Sequence, residues 1–202
     1  ICALATNEGS ARDYLFGGSR TLTHRPLPLV AVPTTAGSGS EVTAASVLSD
    51  EQRGIKLSIT HDWLIPLVAV VDPIMHRDMP RIITASTGMD ALTHAVEAYV
   101  GKGANPITDA MAQEAIRLIG GALWRVCADG KDLEARRDMA MGSVLAGVAM
   151  DQAGLGLVHS LSSPLCTFFH MAHGEANAVL LKYCMDFNLM ARPERFAHIA
   201  AL

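Results

Sequence analysis

In Thr87-Gly88-Met89-Asp90-Ala91-Leu92-Thr93-His94-Ala95-Val96-Glu97, two potential metal ligands stand four residues apart among small and apolar neighbours. The segment predicts a helix through Asp90, His94 and Glu97, with Ser86 or Thr87 as its cap and Gly101 to Pro106 as its stop. On such a helix, side chains four apart project from one face about a turn apart. That geometry suits two ligands of one cation. It also suits a surface pair or a capped polar contact, so the spacing alone leaves both readings open.

Downstream, two more histidines occupy glycine-bearing segments: His159 in Gly154-Leu155-Gly156-Leu157-Val158-His159, and His173 in His170-Met171-Ala172-His173-Gly174. Close packing would bring both toward Asp90 and His94. Three imidazoles and a carboxylate make a hard-to-borderline donor set that suits Fe(II) or Zn(II) and leaves room for a substrate oxygen. A histidine in an apolar stretch, such as His159, equally fits a hydrogen-bonded core position. From about Met79 onward the chain is rich in Ala, Leu and Met without alternation, which predicts packed helices, among them Thr108 to Ile119 and Leu133 to Met150.

Upstream, two short β-branched runs, Leu29 to Val32 and Leu67 to Val71, read as buried strands of a parallel sheet, ended by Pro33 and Pro73. Between them, Thr34-Thr35-Ala36-Gly37-Ser38-Gly39-Ser40-Glu41 is a loop whose hydroxyls and backbone N–H groups suit an anion, or an ordinary strand-to-helix turn. The expected architecture is an α/β part over residues 1–79 and an all-helical part over 80–202, with a cleft between them.

The bulk numbers narrow the function classes. Half of the 202 residues are hydrophobic and 18% are charged, enough to bury a sizeable core. Sixteen basic residues against twenty acidic ones, with no basic run, argue against a nucleic-acid partner. The longest apolar stretches, such as Trp63 to Val71, contain a proline and fall short of the roughly 20 residues of a membrane span. Four scattered cysteines without a CxxC pair suggest neither a zinc knuckle nor a disulfide framework, and fit a reducing, cytoplasmic setting. The chain opens with Ile1 and no secretory n-region, as a truncation would.

Taken together, three motifs resemble those of the iron-containing (group III) alcohol dehydrogenases. The helix Thr87 to Glu97 is similar to their first signature and Gly154 to Asn177 to their second. Val32 to Val42, with the following Gly54-Ile55-Lys56, is similar to their nucleotide segment. The resemblance runs over almost the whole chain and implies the dehydroquinate synthase-like fold, an α/β dinucleotide-binding part followed by an all-α metal-binding part. It implies that Asp90, His94, His159 and His173 bind the catalytic Fe(II) or Zn(II). Thr34, Thr35, Ser38 and Lys56 would contact NAD or NADP. The implied reaction is hydride transfer between a primary alcohol or its aldehyde and nicotinamide, in a homodimer acting on a small molecule. Related folds serve metal-dependent polyol dehydrogenases and a dehydroquinate synthase-like lyase, and a non-catalytic fragment is a further alternative.

The chain departs from the family pattern in two places. Where many members carry a histidine one turn after the third ligand, this chain has Ser163. A hydroxyl passes a proton through water but does not hold the charge as imidazole does. Either His170 or a water chain through Ser163 takes over that relay, or His170 merely packs. The Gly-rich pyrophosphate turn is also absent, since Gly17-Gly18-Ser19 has the wrong context, so the resemblance implies further segments before Ile1 and after Leu202. Phe168, Phe169 and apolar neighbours would line a pocket for small aliphatic alcohols.

Overall fold

The computed structural model describes residues 1–50 and 55–202. Its first part carries a short helix, α1 (Ala11–Tyr14), and four strands in two separate pairs. β1 (Val30–Ala31) and β4 (Val68–Ala69) pair in parallel, Val30 opposite Val68 and Ala31 opposite Ala69. Their pairing follows the sequence expectation but their burial does not: Val30 is 57% and Val68 45% exposed. A parallel pair is buried only where helices cover its faces, and neither strand makes an extensive helix contact among the described residues.

β2 (Ala45–Asp50) and β3 (Ile55–Thr60) form an antiparallel hairpin that the sequence reading passed over, with Ala45 opposite Thr60 and Asp50 opposite Ile55. The signal was present. Ile55, Leu57 and Ile59 alternate with Lys56, Ser58 and Thr60, the period of a half-buried strand. Leu48, Leu57 and Ile59 pack on Ala3, Tyr14, Leu15 and Leu22 as a small core of their own. Gly54 lies outside the described residues.

The second part is helical: α2 (Arg81–Val100), α3 (Pro106–Ala128), α4 (Leu133–Ala153), α5 (Leu157–Phe168), α6 (His173–Leu189) and α7 (Pro193–Ile199). α2 begins at Arg81 and not at Ser86 or Thr87. Pro80 is its N-cap, with φ −55° and an extended ψ of 145°, and the helix starts nearly two turns earlier than the hydroxyls suggest. Thr87 instead donates its hydroxyl to the Ile83 carbonyl one turn back, at 2.8 Å. Asn105 caps α3, accepting from the N–H groups of Ile107 and Thr108, with Pro106 at the first helical position.

α2 packs against α3, α4 and α6, which is why its small residues face nearly every direction. Ala91, Ala95 and Ala98 are wholly buried, and Ile116, Ile119, Met139 and Ala146 close around the first two. Burial of a side chain such as Ile119 contributes about 1.5–3 kcal/mol. α7 is held by Arg195, whose guanidinium donates to both Asp109 carboxylate oxygens at 2.7 and 2.9 Å and to the Tyr99 carbonyl at 2.6 Å.

The loop between β1 and β2 is pinned at both ends. His76 Nε2 donates to the Pro33 carbonyl at 3.0 Å, and Ala44 N–H donates to Asp151 Oδ1 on α4 at 2.8 Å. Between these ends its backbone lies directly on the helices: a Cβ at Gly37 would fall 2.6 Å from Thr87 Cβ, and one at Gly39 2.7 Å from Gly147 Cα. Gly39 also holds φ +63°, where a side chain is costly. No single helix among the described residues is long and apolar enough to cross a membrane.

Candidate metal centre

Three helices bring the four sequence-predicted ligands to one point. Asp90 and His94 face the same way from the middle of α2, His159 stands in the first turn of α5, and His173 is the first residue of α6. Asp90 Oδ1 is the shared neighbour: His94 Nε2 and His173 Nε2 lie 3.5 Å from it and His159 Nε2 3.6 Å. The donor atoms of Asp90, His159 and His173 all fall within 4.8 Å of one another. His94 joins them through Asp90 and stacks on His159, with ring centroids 4.7 Å apart.

Glu97, one turn beyond His94 on α2, orients this group from behind. Its carboxylate accepts from Gly156 N–H at 2.9 Å, from Val158 N–H at 2.6 Å and from His159 Nδ1 at 2.7 Å. The first N–H groups of a helix have no partner within it and carry partial positive charge. A carboxylate supplied by α2 therefore caps the start of α5 and, in the same contact, holds the Nδ1–H of His159, leaving Nε2 turned inward. Carboxylate-backed imidazoles of this kind are usual around protein-bound metals.

The other two imidazoles have weaker support. His173 Nδ1 meets Cys166 Sγ at 3.6 Å, and His94 Nδ1 is buried without a hydrogen-bond partner. Sequence reasoning quoted Glu97 only as part of the helix and missed both Cys166 and Asn177, whose amide Nδ2 donates to Asp90 Oδ1 at 2.7 Å.

The charges sort unevenly over this cluster. Burial would raise the Asp90 carboxyl, but hydrogen bonding from His159 and the fields of His94 and His173 bring it to about 2. Burial drives His94 down to about 4 against the pull of Asp90. For His159 the burial penalty is outweighed by Asp90 and Glu97, which raise it to about 9. Burial lowers His173, and the charges of His159 and Lys56 add to that. A centre with two carboxylates thus attracts positive charge, and His94 and His173 keep free lone pairs for it.

The predicted cofactor contacts lie on the neighbouring surface. Thr34 and Ser38 are exposed and Thr35 half-buried, with Ser38 Oγ 3.2 Å from Ser40 Oγ. Their loop reaches α2 through Gly37, which packs on Thr87. Lys56, on β3, shares a cleft of about 390 Å³ with Asp50, Cys166, Thr167 and His170. His170 stands between α5 and α6 at φ +53°, a backbone conformation uncommon for a non-glycine residue. Ser163 is half-buried on α5, and no hydrogen bond joins it to His170 or to the ligands among the described residues. Phe168 and Phe169 do not line this cleft; at the end of α5 they are 70% and 72% exposed.

Comparison with known proteins identifies the family. Residues 84–202 match the Fe-containing alcohol dehydrogenase family, C-terminal, and residues 1–73 match Iron-containing alcohol dehydrogenase. The chain is 51% identical over 197 residues to long-chain-alcohol dehydrogenase 1 of Geobacillus thermodenitrificans, covering 97% of this chain and 49% of that one. It is 45% identical over 202 residues to the NAD-dependent methanol dehydrogenase of Bacillus methanolicus, covering 100% of this chain and 52% of the relative. A crystal structure of 1,3-propanediol oxidoreductase superposes with TM-score 0.94 at 48% identity, over 99% of this chain and 52% of that one. Sulfoacetaldehyde reductase from Bifidobacterium kashiwanohense, solved in complex with NAD+, gives 0.88 at 38% identity over 93% and 50%. The chain spans about half the length of the relatives it matches. With both segments matched, and with its mixed α/β and helical parts in the order of the solved relatives, the chain belongs to the iron-containing alcohol dehydrogenase family.

Proposed function

We propose that this chain carries the metal centre and part of the cofactor site of an NAD(P)-linked alcohol dehydrogenase that interconverts a primary alcohol and its aldehyde. The observation that carries the reading is the convergence of three imidazole Nε2 atoms on one buried carboxylate oxygen. Asp90, His94, His159 and His173 would hold Fe(II) or Zn(II), whose donor preferences they fit. When bound, such an ion supplies Lewis acidity to the alcohol or carbonyl oxygen.

The remaining work falls to the chain itself. Glu97 holds His159 in the tautomer that offers Nε2. Thr34, Thr35 and Ser38 present hydroxyls and backbone N–H groups to a nicotinamide cofactor, and Lys56 adds a cation beside His173. Residues 1–79 form the cofactor-binding unit and 80–202 the metal-binding unit in this proposal. His170, whose backbone turns it into the Lys56 cleft, passes a proton between substrate and solvent, with Ser163 as the water-linked alternative. The four unpaired cysteines accord with a cytoplasmic protein, and the family resemblance with a homodimer.

The decisive experiment is elemental analysis of anaerobically purified protein, followed by alcohol-dependent NAD+ reduction. About one Fe or Zn per chain is expected in wild type and loss of most of it in His159→Ala; a wild type that takes up neither ion when supplied rules the proposal out. For the relay, His170→Ala is expected to lower the rate by about 10²-fold or more and to change its pH profile. An unchanged rate and profile would remove His170 from the mechanism.

A further inference from the structure

Asn177 lies on α6 one turn after His173, and its side chain is completely buried. Its tip reaches the same donor atoms: Nδ2 is 2.7 Å from Asp90 Oδ1, 3.2 Å from His159 Nε2 and 3.3 Å from His173 Nε2. Oδ1 of the same amide is buried without a hydrogen-bond partner.

This arrangement is incomplete as a purely structural contact. The amide N–H₂ is engaged by Asp90 Oδ1, while its carbonyl, which buried groups normally keep paired, is left alone. Half a turn about the terminal torsion exchanges the two ends of an amide with almost no change in shape. The orphaned oxygen would then point to where two imidazole Nε2 atoms and a carboxylate oxygen already converge. Amide carbonyl oxygens are established ligands of divalent cations.

We infer that Asn177 is a further member of the cation-binding set and presents its carbonyl oxygen to a divalent ion held by Asp90, His94, His159 and His173. The inference rests on the metal reading proposed above and adds to it a consequence for selectivity. Zn(II) is satisfied by four donors in a tetrahedron, whereas a harder oxygen donor and a higher coordination number favour Fe(II). Asn177 therefore biases the site toward Fe(II).

The test titrates the full chain with Fe(II), Zn(II) and Co(II) anaerobically against a competing chelator, in wild type, Asn177→Leu and Asn177→Asp. Asn177→Leu keeps the size without a donor and is expected to weaken Fe(II) by about tenfold or more, Zn(II) by less, and to intensify the visible Co(II) absorption as the coordination number falls. Asn177→Asp keeps an oxygen ligand but loses the N–H donor, and is expected to bind Fe(II) at least as tightly as wild type. Should Asn177→Asp weaken binding as much as Asn177→Leu, Asn177 serves only as a donor to Asp90 and the inference fails. Equal affinities and spectra in all three proteins also overturn it, while leaving the metal reading intact. A wild type that binds none of the ions removes both.

Discussion

At the scale of single residues, Glu97 shows how one side chain serves local structure and chemistry together. Glu97→Gln keeps the shape, but only one of its terminal atoms can accept, so it leaves some of the donors Gly156 N–H, Val158 N–H and His159 Nδ1–H without a partner. Leaving such a group unpaired costs about 1–3 kcal/mol, and loss of support behind a ligand costs about 10–100-fold in metal affinity. Both effects are expected, the first in thermal melts of metal-free protein and the second by chelator competition. Wild-type values in both would mean that the carboxylate is dispensable. Asp90 and His94 were legible in the sequence because both lie on one helix at a spacing that chemistry recognises. Glu97 follows on the same face, but its partners lie about sixty positions later, so its direction was visible and its destination was not. Asn177 was similarly readable as one turn after His173, yet nothing in the spacing tells an amide at a cation from an amide in a core.

Among the elements, α6 is placed by the residue that follows its ligand. A side chain at Gly174 would collide with the Ser86 carbonyl of α2, and a backbone carbonyl has little room to yield. Gly174→Ala is expected to push the start of α6 away from α2, cost about 1–3 kcal/mol in stability and reduce metal retention by displacing His173. Denaturant midpoints and metal content measure the two, and a stable variant with full metal would show that α6 adjusts without moving its first turn. The helical elements were the legible ones, since Ala-, Leu- and Met-rich runs without alternation mark packed helices, although α2 and α3 extend beyond the expected bounds. The β2–β3 hairpin was missed although β3 alternates cleanly, because its alternate positions carry Lys56, Ser58 and Thr60, polar residues that also suit a loop. β1 and β4 were found, but their burial depends on what covers them, which two isolated strand sequences do not specify.

Over the whole molecule, the loop between β1 and β2 is held by a polar pin at each end, and one of the two titrates. His76 is buried, its Nε2–H donates to the Pro33 carbonyl, and its Nδ1 has no partner. Burial lowers its pKa, with the Pro33 carbonyl opposing and the Arg136 charge adding to the shift. The unfolded chain therefore binds this proton more readily than the folded one. The contribution of neutral His76 is fully present above the ordinary histidine range and is lost as pH falls below about 6.5 toward the lowered folded value. His76→Gln retains a donor for Pro33 and does not titrate, so its urea midpoint is expected to fall less than that of wild type between pH 7.5 and 5.5; parallel losses would clear His76 of this role. The placement of Glu97 extends to exchange with solvent. Amide hydrogens in the first turn of a helix ordinarily exchange quickly with deuterium because nothing in the helix protects them. At Gly156 and Val158 they are sealed by a carboxylate carried on another helix, so they should exchange only when α2 and α5 separate, as slowly as the interior of the bundle.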